Sequence, residues 1–168
     1  RRQRQMCIRD RLGGDPSEWL LTYPGILRQQ HNAEGVGLIN SSPEIDGIVR
    51  RVPLVVGSND KLFPSFALEM LRVGVGDPSY QIKTGETGVE WLRIPNFPII
   101  KTDSNARVWI TNNIKFYRQS AAEFLRQPVE GAAFVIAGVT AEGVVNSVPT
   151  ASGAIYPHEI QANVLHLS

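Results

Sequence analysis

The sequence predicts an α/β domain built as a mixed β-sheet flanked by helices, and three observations carry that prediction. Short runs rich in β-branched residues alternate with segments whose apolar residues recur at helical spacing. Residues 132–139, AAFVIAGV, are apolar on both faces, so a strand there needs cover on both sides, as in a parallel or mixed sheet between helices. Ser120-Ala121-Ala122-Glu123 spells a capping box, in which hydroxyl and carboxylate satisfy amides that a helix start leaves free.

Taken in order, Val36-Gly37-Leu38-Ile39-Asn40 reads as a short strand ending in a loop over residues 41–46. Residues 48–56 are rich in Val, Ile and Arg and read as a second strand, with Asp46-Gly47 as the turn of a hairpin between the two. Pro53 cannot donate to a ladder, so an edge, a bulge or a break is expected there. Residues 64–73 read as a helix with Pro64 in its first turn. Phe66, Ala67, Met70 and Leu71 share its apolar face, Glu69 and Arg72 turn away, and Gly74 and Gly76 end it. Short strands are expected over 80–83, 91–94, 99–100 and 107–111. After the capping box, Phe124 and Leu125 supply an apolar face before Pro128. Residues 140–143, Thr-Ala-Glu-Gly, form a small-residue loop, and residues 158–167 close the chain as a helix with Ile160, Asn163, Val164 and Leu167 on one face.

The opening run, Arg1 to Arg11, does not read as protein. Back-translated, RRQRQMCIRDR is similar in register to the transposon-end adapter used in short-read sequencing, so residues 1–11 are set apart from residues 12–168 as non-native. The run carries five Arg and one Asp. Without it the 17 basic and 16 acidic residues become 12 and 15, and the formal net charge moves from +1 to −3. The apparent basicity that would hint at nucleic acid disappears. Cys7, the single cysteine, goes with it, leaving neither disulfide nor thiol chemistry. The remainder suits one domain, and its longest uncharged apolar stretch, residues 131–141, falls short of the about 18 residues a membrane span needs.

The residues assign no catalytic, cofactor-binding or metal-ligating role. The histidines are His31, His158 and His166, and no Gly-x-Ser-x-Gly elbow is present. His158-Glu159 resembles half a zinc-protease motif, but Ala162 stands where its second histidine belongs, leaving His158 as a surface or cap residue. Residues 42–47 imitate a calcium loop until position twelve, which is Pro53 instead of a bidentate Glu. Gly35-Val36-Gly37 and Gly74-Val75-Gly76 lack the third glycine and the context of a phosphate cradle. Arg50-Arg51 is the one adjacent basic pair outside the opening run. Strand alternation puts the two on opposite faces, one inward, and a structural ion pair with Asp46 is favoured over anion binding.

Gly35-Val36-Gly37-Leu38-Ile39-Asn40, followed by Pro43-Glu44-Ile45-Asp46-Gly47-Ile48-Val49-Arg50-Arg51-Val52-Pro53-Leu54, resembles the type-two CHASE family, the cyclase and histidine-kinase associated sensory extracellular domain. That family has a Gly-x-x-Asn strand, an Asp-x-Asp-Gly loop and Val-x-Arg-x-x-Pro-Leu, then an apolar helix after Pro-Ser, here Pro64-Ser65. A second signature lies in Gly138, Thr140-Ala141-Glu142-Gly143, Asn146 and Pro157-His158-Glu159-Ile160-Gln161-Ala162-Asn163. The resemblance covers residues 35–167. Glu44 stands where the family has Asp, Asn146 replaces Asp, Pro149-Thr150 inverts Thr-Pro, and His158 and Gln161 replace Gly and His.

The resemblance implies a non-catalytic sensory domain outside the bacterial inner membrane. It implies a place in a homodimeric receptor, upstream of an adenylate or guanylate cyclase or a kinase, with membrane segments outside this chain. It also implies that residues 12–168 are the later part of a longer domain, whose sheet is incomplete on its N-terminal side. The signal, a small molecule or a protein, is not readable; no cofactor and no nucleic-acid partner are expected. Asn40, Glu44, Asp46, Gly47, Arg50, Arg51, Pro53, Gly138, Thr140, Ala141, Gly143, Asn146, Glu159 and Asn163 are the candidate sensory or fold-specifying residues, concentrated in loops 44–51 and 140–146. A fragment of an α/β hydrolase-like enzyme and a periplasmic binding module remain the other readings, separable by gene context.

Overall fold

The computed structural model describes residues 33–58, 61–111 and 114–166. The opening run and Leu167, expected on the last helix face, lie outside the described residues. The chain is mixed α/β, with strands in four small sheets and three helices among the described residues. Strand β1 (Arg51–Pro53) pairs antiparallel with β7 (Arg107–Trp109). Strands β2 (Val55–Ser58) and β3 (Lys61–Pro64) form a hairpin, and β4 (Gln81–Gly85), β5 (Gly88–Arg93) and β6 (Ile100–Lys101) form a meander. The break expected near Pro53 falls at Leu54, where the chain leaves one sheet for the next. A hairpin of β8 (Val148–Thr150) and β9 (Gly153–Ile155), closed by Ala151 and Ser152, carries no strong sequence signal because each strand is only three residues long.

Two expected strands are corrected. Residues 36–40 do not pair with 48–56; Leu38 instead makes a single parallel bridge to Ser65. The hydrogen-bonding groups that the hairpin needs are already committed: the Leu38 amide donates to the Pro64 carbonyl, and the Leu54 amide to Ala106. Asp46-Gly47 does form a turn, but a local one, with Gly47 donating to Glu44 and Glu44 donating to Ile48. Residues 132–139 form no ladder among the described residues, and Phe134, Val135 and Val139 are 38%, 54% and 52% exposed. An apolar pattern makes a strand only where a neighbour takes up its amides and carbonyls. Such an exposed run predicts measurable binding of 1-anilinonaphthalene-8-sulfonate at neutral pH, reduced by Phe134→Ser with Val135→Ser. A chain that leaves the dye dark before any substitution would contradict this.

The first helix, α1 (Phe66–Val75), starts two residues later than expected, because Pro64 ends β3 and Ser65 is the N-cap. Its four leading donors are all satisfied, each by a different acceptor. Ser65 donates to the Leu54 carbonyl, Phe66 to the Leu38 carbonyl, Ala67 to the side-chain oxygen of Gln161 at 3.0 Å, and Leu68 to the Ser65 hydroxyl at 3.2 Å. Helix starts leave such donors orphaned; here the surrounding fold supplies the acceptors. Gly76, with φ 74°, closes the other end. Glu69, turned from the apolar face, is nonetheless buried and held by Arg72 and by the Tyr80 hydroxyl.

Helix α2 (Ala121–Arg126) has the expected capping box in both directions, yet Leu125 is exposed and none of its residues is buried. Helix α3 (Pro157–His166) buries Ile160, Gln161, Asn163 and Val164 and packs on α1. The core gathers Val49, Val52, Leu68, Leu92, Ile94 and Ile160, which have no exposed area, with α1 and α3 meeting residues of β1, β7 and β5. No helix among the described residues is long and apolar enough to cross a membrane.

Candidate functional site

The loop before β1 is organised by charge. Asp46 accepts the Ile48 amide at 3.1 Å, which pins the turn, while Gly47 sits at φ 80° in open space. Arg50 grips both oxygens of Asp46, at 3.1 and 2.7 Å, and reaches Glu44 at 3.2 Å. An ion pair between Asp46 and one of the two arginines, as expected, is present, and the arginine is Arg50. The expected division of Arg50 and Arg51 between two faces is not: both are partly buried and both bind Glu44, Arg51 through Nε at 2.9 Å and Nη2 at 2.8 Å. Arg50 precedes β1 and is not in a ladder, so strand alternation does not govern it.

Arg51 extends the network in a direction the sequence reading missed. Its Nη1 reaches Asp103 at 3.1 Å, and its guanidinium carbon lies 5.2 Å from the centre of the Trp109 ring. Asp103 also accepts Arg107 Nε at 2.9 Å and the amides of Asn105 and Arg107 at 3.0 and 2.9 Å. Asp103-Ser104-Asn105, with an acceptor two residues before a turn amide, was the available signal. Three carboxylates and three guanidiniums close on one another, so the cluster is neutral and bonded internally; it fastens the loop to β1 and β7 and offers no spare cation for an anion.

The titration of this cluster follows from the contacts. The Arg50 guanidinium, helped by the Ile48 amide, holds the Asp46 carboxyl below its ordinary range. For Asp103, burial pushes upward most strongly, but the amides of Arg107 and Asn105 and the Arg107 guanidinium together hold it low. A carboxylate lowered in the folded state stabilises the fold fully above its unfolded value and loses that contribution as pH falls through the folded one. The Asp103 contribution is thus complete above the ordinary 3.8 and lost below it. Asp103→Asn is expected to lower stability at pH 7 by about 1–2 kcal/mol and to flatten the acid limb of a urea midpoint–pH profile. An unchanged acid limb would refute the assignment.

The second loop is held by the start of α3. The Tyr156 hydroxyl donates to the Thr140 carbonyl at 3.1 Å, and the rings of Tyr156 and His158 stack with centroids 5.8 Å apart. A side chain on Gly138 would begin 2.2 Å from the His158 ring, so the glycine is what lets the strap lie there. Gly143, at φ 79°, sits in a turn in which Val144 donates to Ala141; Thr140, Ala141 and Asn146 are exposed. Glu159 accepts the Tyr156 amide at 2.9 Å and pairs with Arg118 at 2.7 Å. Asn163 donates back to the Glu159 carbonyl at 2.8 Å.

Among the described residues, no hydrogen bond or ion pair joins loop 44–51 to loop 140–146. The nearest tie is backbone, from the Val49 amide to the Pro149 carbonyl at 2.8 Å. Glu44, Asp46, Arg50 and Arg51 form one cluster, Gly138 and Thr140 belong to the strap over α3, and Pro53 ends β1 opposite Arg107. Asn40, partly buried, continues the segment that Leu38 ties to Ser65. Sequence reasoning missed Gln161 as a capping group, because its partner Ala67 is 94 residues away. Among the described residues, no group of three or more His, Cys, Asp or Glu is placed to hold a metal.

Comparison with curated proteins and with solved structures found no match. The family model of the CHASE2 domain matches residues 5–167, and the chain belongs to this family of extracellular, non-catalytic sensory domains.

Proposed function

We propose that this domain is the signal-input unit of a transmembrane receptor, displayed on the outer face of a bacterial inner membrane, and that it regulates a cytoplasmic adenylate or guanylate cyclase or a kinase. The family match over residues 5–167 carries the reading. A sensor needs an element that can report a change elsewhere, and α3 has the form of one. Its buried Gln161 is a direct bond to the start of α1, while its own start holds the 138–140 strap through Tyr156 and His158. A ligand or partner that favours one arrangement of strap and helix shifts the population of two states by its difference in affinity for them. The helix beyond Asn163 then passes that shift towards the membrane, in a receptor that acts as a homodimer.

The complete reading frame, sequenced through both ends, tests this. Membrane helices followed by a cyclase or kinase motif are the expected result; a frame with neither overturns the proposal. Within such a receptor, Tyr156→Phe, which removes only the hydroxyl that holds Thr140, is expected to change basal output without loss of the folded domain. Unchanged basal and stimulated output would remove the strap from the mechanism.

A further inference from the structure

Beside α1 lies a cleft of about 380 Å3 that none of the candidate loops touches. One wall is the chain around Gly35 and Gly37, the floor is α1, and Phe134 stands on the far side. Glycine makes this geometry possible. A side chain on Gly35 would begin 2.2 Å from a Glu69 oxygen, one on Gly37 would begin 2.5 Å from the Phe66 Cα, and one on Gly74 would press on the Phe134 ring at 3.1 Å. Gly35, Gly37 and Gly74 therefore shape the walls of the cleft.

The lining is mainly apolar, with two aromatic rings, Phe66 and Phe134, and the Met70 thioether. Its charge has one sign. Glu69, buried at the floor, is satisfied by Arg72 and Tyr80. Among the described residues, Arg72 stands beside three carboxylates, since Asp77 and Glu34 as well as Glu69 act on it by charge. The Glu34 carboxylate, at the mouth, has no ion-pair partner among the described residues. Arg72 also donates to the Glu34 carbonyl at 3.2 Å, so what the hollow offers among the described residues is aromatic faces and an excess of carboxylate over guanidinium, the chemistry that recognises an organic cation.

We propose that this cleft binds a small organic cation, a protonated amine on an apolar body, with the body between Phe66 and Phe134 and the charge against Glu34. This deepens the sensory reading and rests on it for the role of the site. The binding itself stands apart from that reading and is measured separately.

Met70 is one of two methionines in the chain, so a methionine-methyl 13C NMR spectrum of the whole chain reports on the cleft directly, with Met70→Leu assigning the signal. Titration with phenethylammonium is expected to shift the Met70 methyl with saturation, and neutral 2-phenylethanol to bind more weakly. Glu34→Gln is expected to weaken phenethylammonium about fivefold, as an exposed charge pair would, and to leave 2-phenylethanol unchanged. Gly74→Leu, whose side chain would displace the Phe134 ring from the wall of the cleft, is expected to abolish both shifts. An unmoved Met70 methyl, equal affinity for the two probes, or an indifferent Glu34→Gln each overturns the proposal. If the methyl is silent while the receptor still responds to a signal, the cleft is wrong and the sensory reading survives. If the methyl shifts but the reading frame holds no output domain, the site stands and the sensory reading falls.

Discussion

Replacing Gly88 with alanine lowers the stability of the folded chain by about 3 kcal/mol or more. Gly88 is buried at the start of β5 with φ 134°, a conformation that side chains avoid. An added Cβ would begin 2.2 Å from the Ser104 carbonyl oxygen, which is backbone and cannot swing aside. The chain must therefore part there, at the point where the Val89 amide donates to that same carbonyl at 3.0 Å. Strain of this kind costs about 1–3 kcal/mol and the lost hydrogen bond about 0.5–1.5. Gly47→Ala provides the control. Its φ of 80° is also positive but nothing stands within 4 Å of the added carbon, so about 1 kcal/mol is expected. Urea unfolding midpoints at constant slope decide the matter: equal losses at the two positions would show that conformation alone, and not the Ser104 contact, governs Gly88. Because Ser104 follows Asp103, the Gly88 variant is also expected to slacken the grip on Arg51.

Gln161→Ala is the second large effect, expected at about 2–4 kcal/mol, since it opens a hole at a fully buried position and strips an acceptor from the Ala67 amide. Gln161→Leu separates these two losses. It keeps most of the volume and removes the side-chain amide nitrogen, which has no partner in the core, while still leaving Ala67 unpaired. A cost of about 1–2 kcal/mol is expected for Leu. Equal costs for Leu and Ala, read from the same urea curves, would mean that the hole contributes nothing and the capping bond everything.

These two positions show what a single sequence discloses here. The helices were legible because their signals are local: Ser120 and Glu123 are three residues apart, and Gly76 closes α1 where glycine is expected. Asp46 as a partner of the arginine pair was legible for the same reason, lying four residues from Arg50, although the choice of Arg50 over Arg51 was not. The partners of Leu38, Leu54 and Ala67 were not, because each is chosen by tertiary contact between distant segments. Residues 132–139 show the reverse error, a strand pattern whose pairing depends on what lies beside it. Helical spacing turns Glu69 away from the apolar face but does not show that Arg72 and Tyr80 would hold it buried there. The family motif marked loop 44–51 without saying that its charges would be spent on one another and on Asp103.

The start of α1 has a further consequence, for the order in which the chain folds. Its leading amides are served by Leu54, Leu38 and Gln161, the last across 94 residues. Closing a loop of that length costs about 4 kcal/mol of chain entropy before any contact rewards it. The β4–β5 hairpin, whose turn spans two residues between Gly85 and Gly88, carries almost no such debt. Pulse-labelled hydrogen exchange during refolding should therefore protect the Leu92 amide early and the Ala67 amide among the last, so that α1 gains its N-terminal end only when α3 arrives.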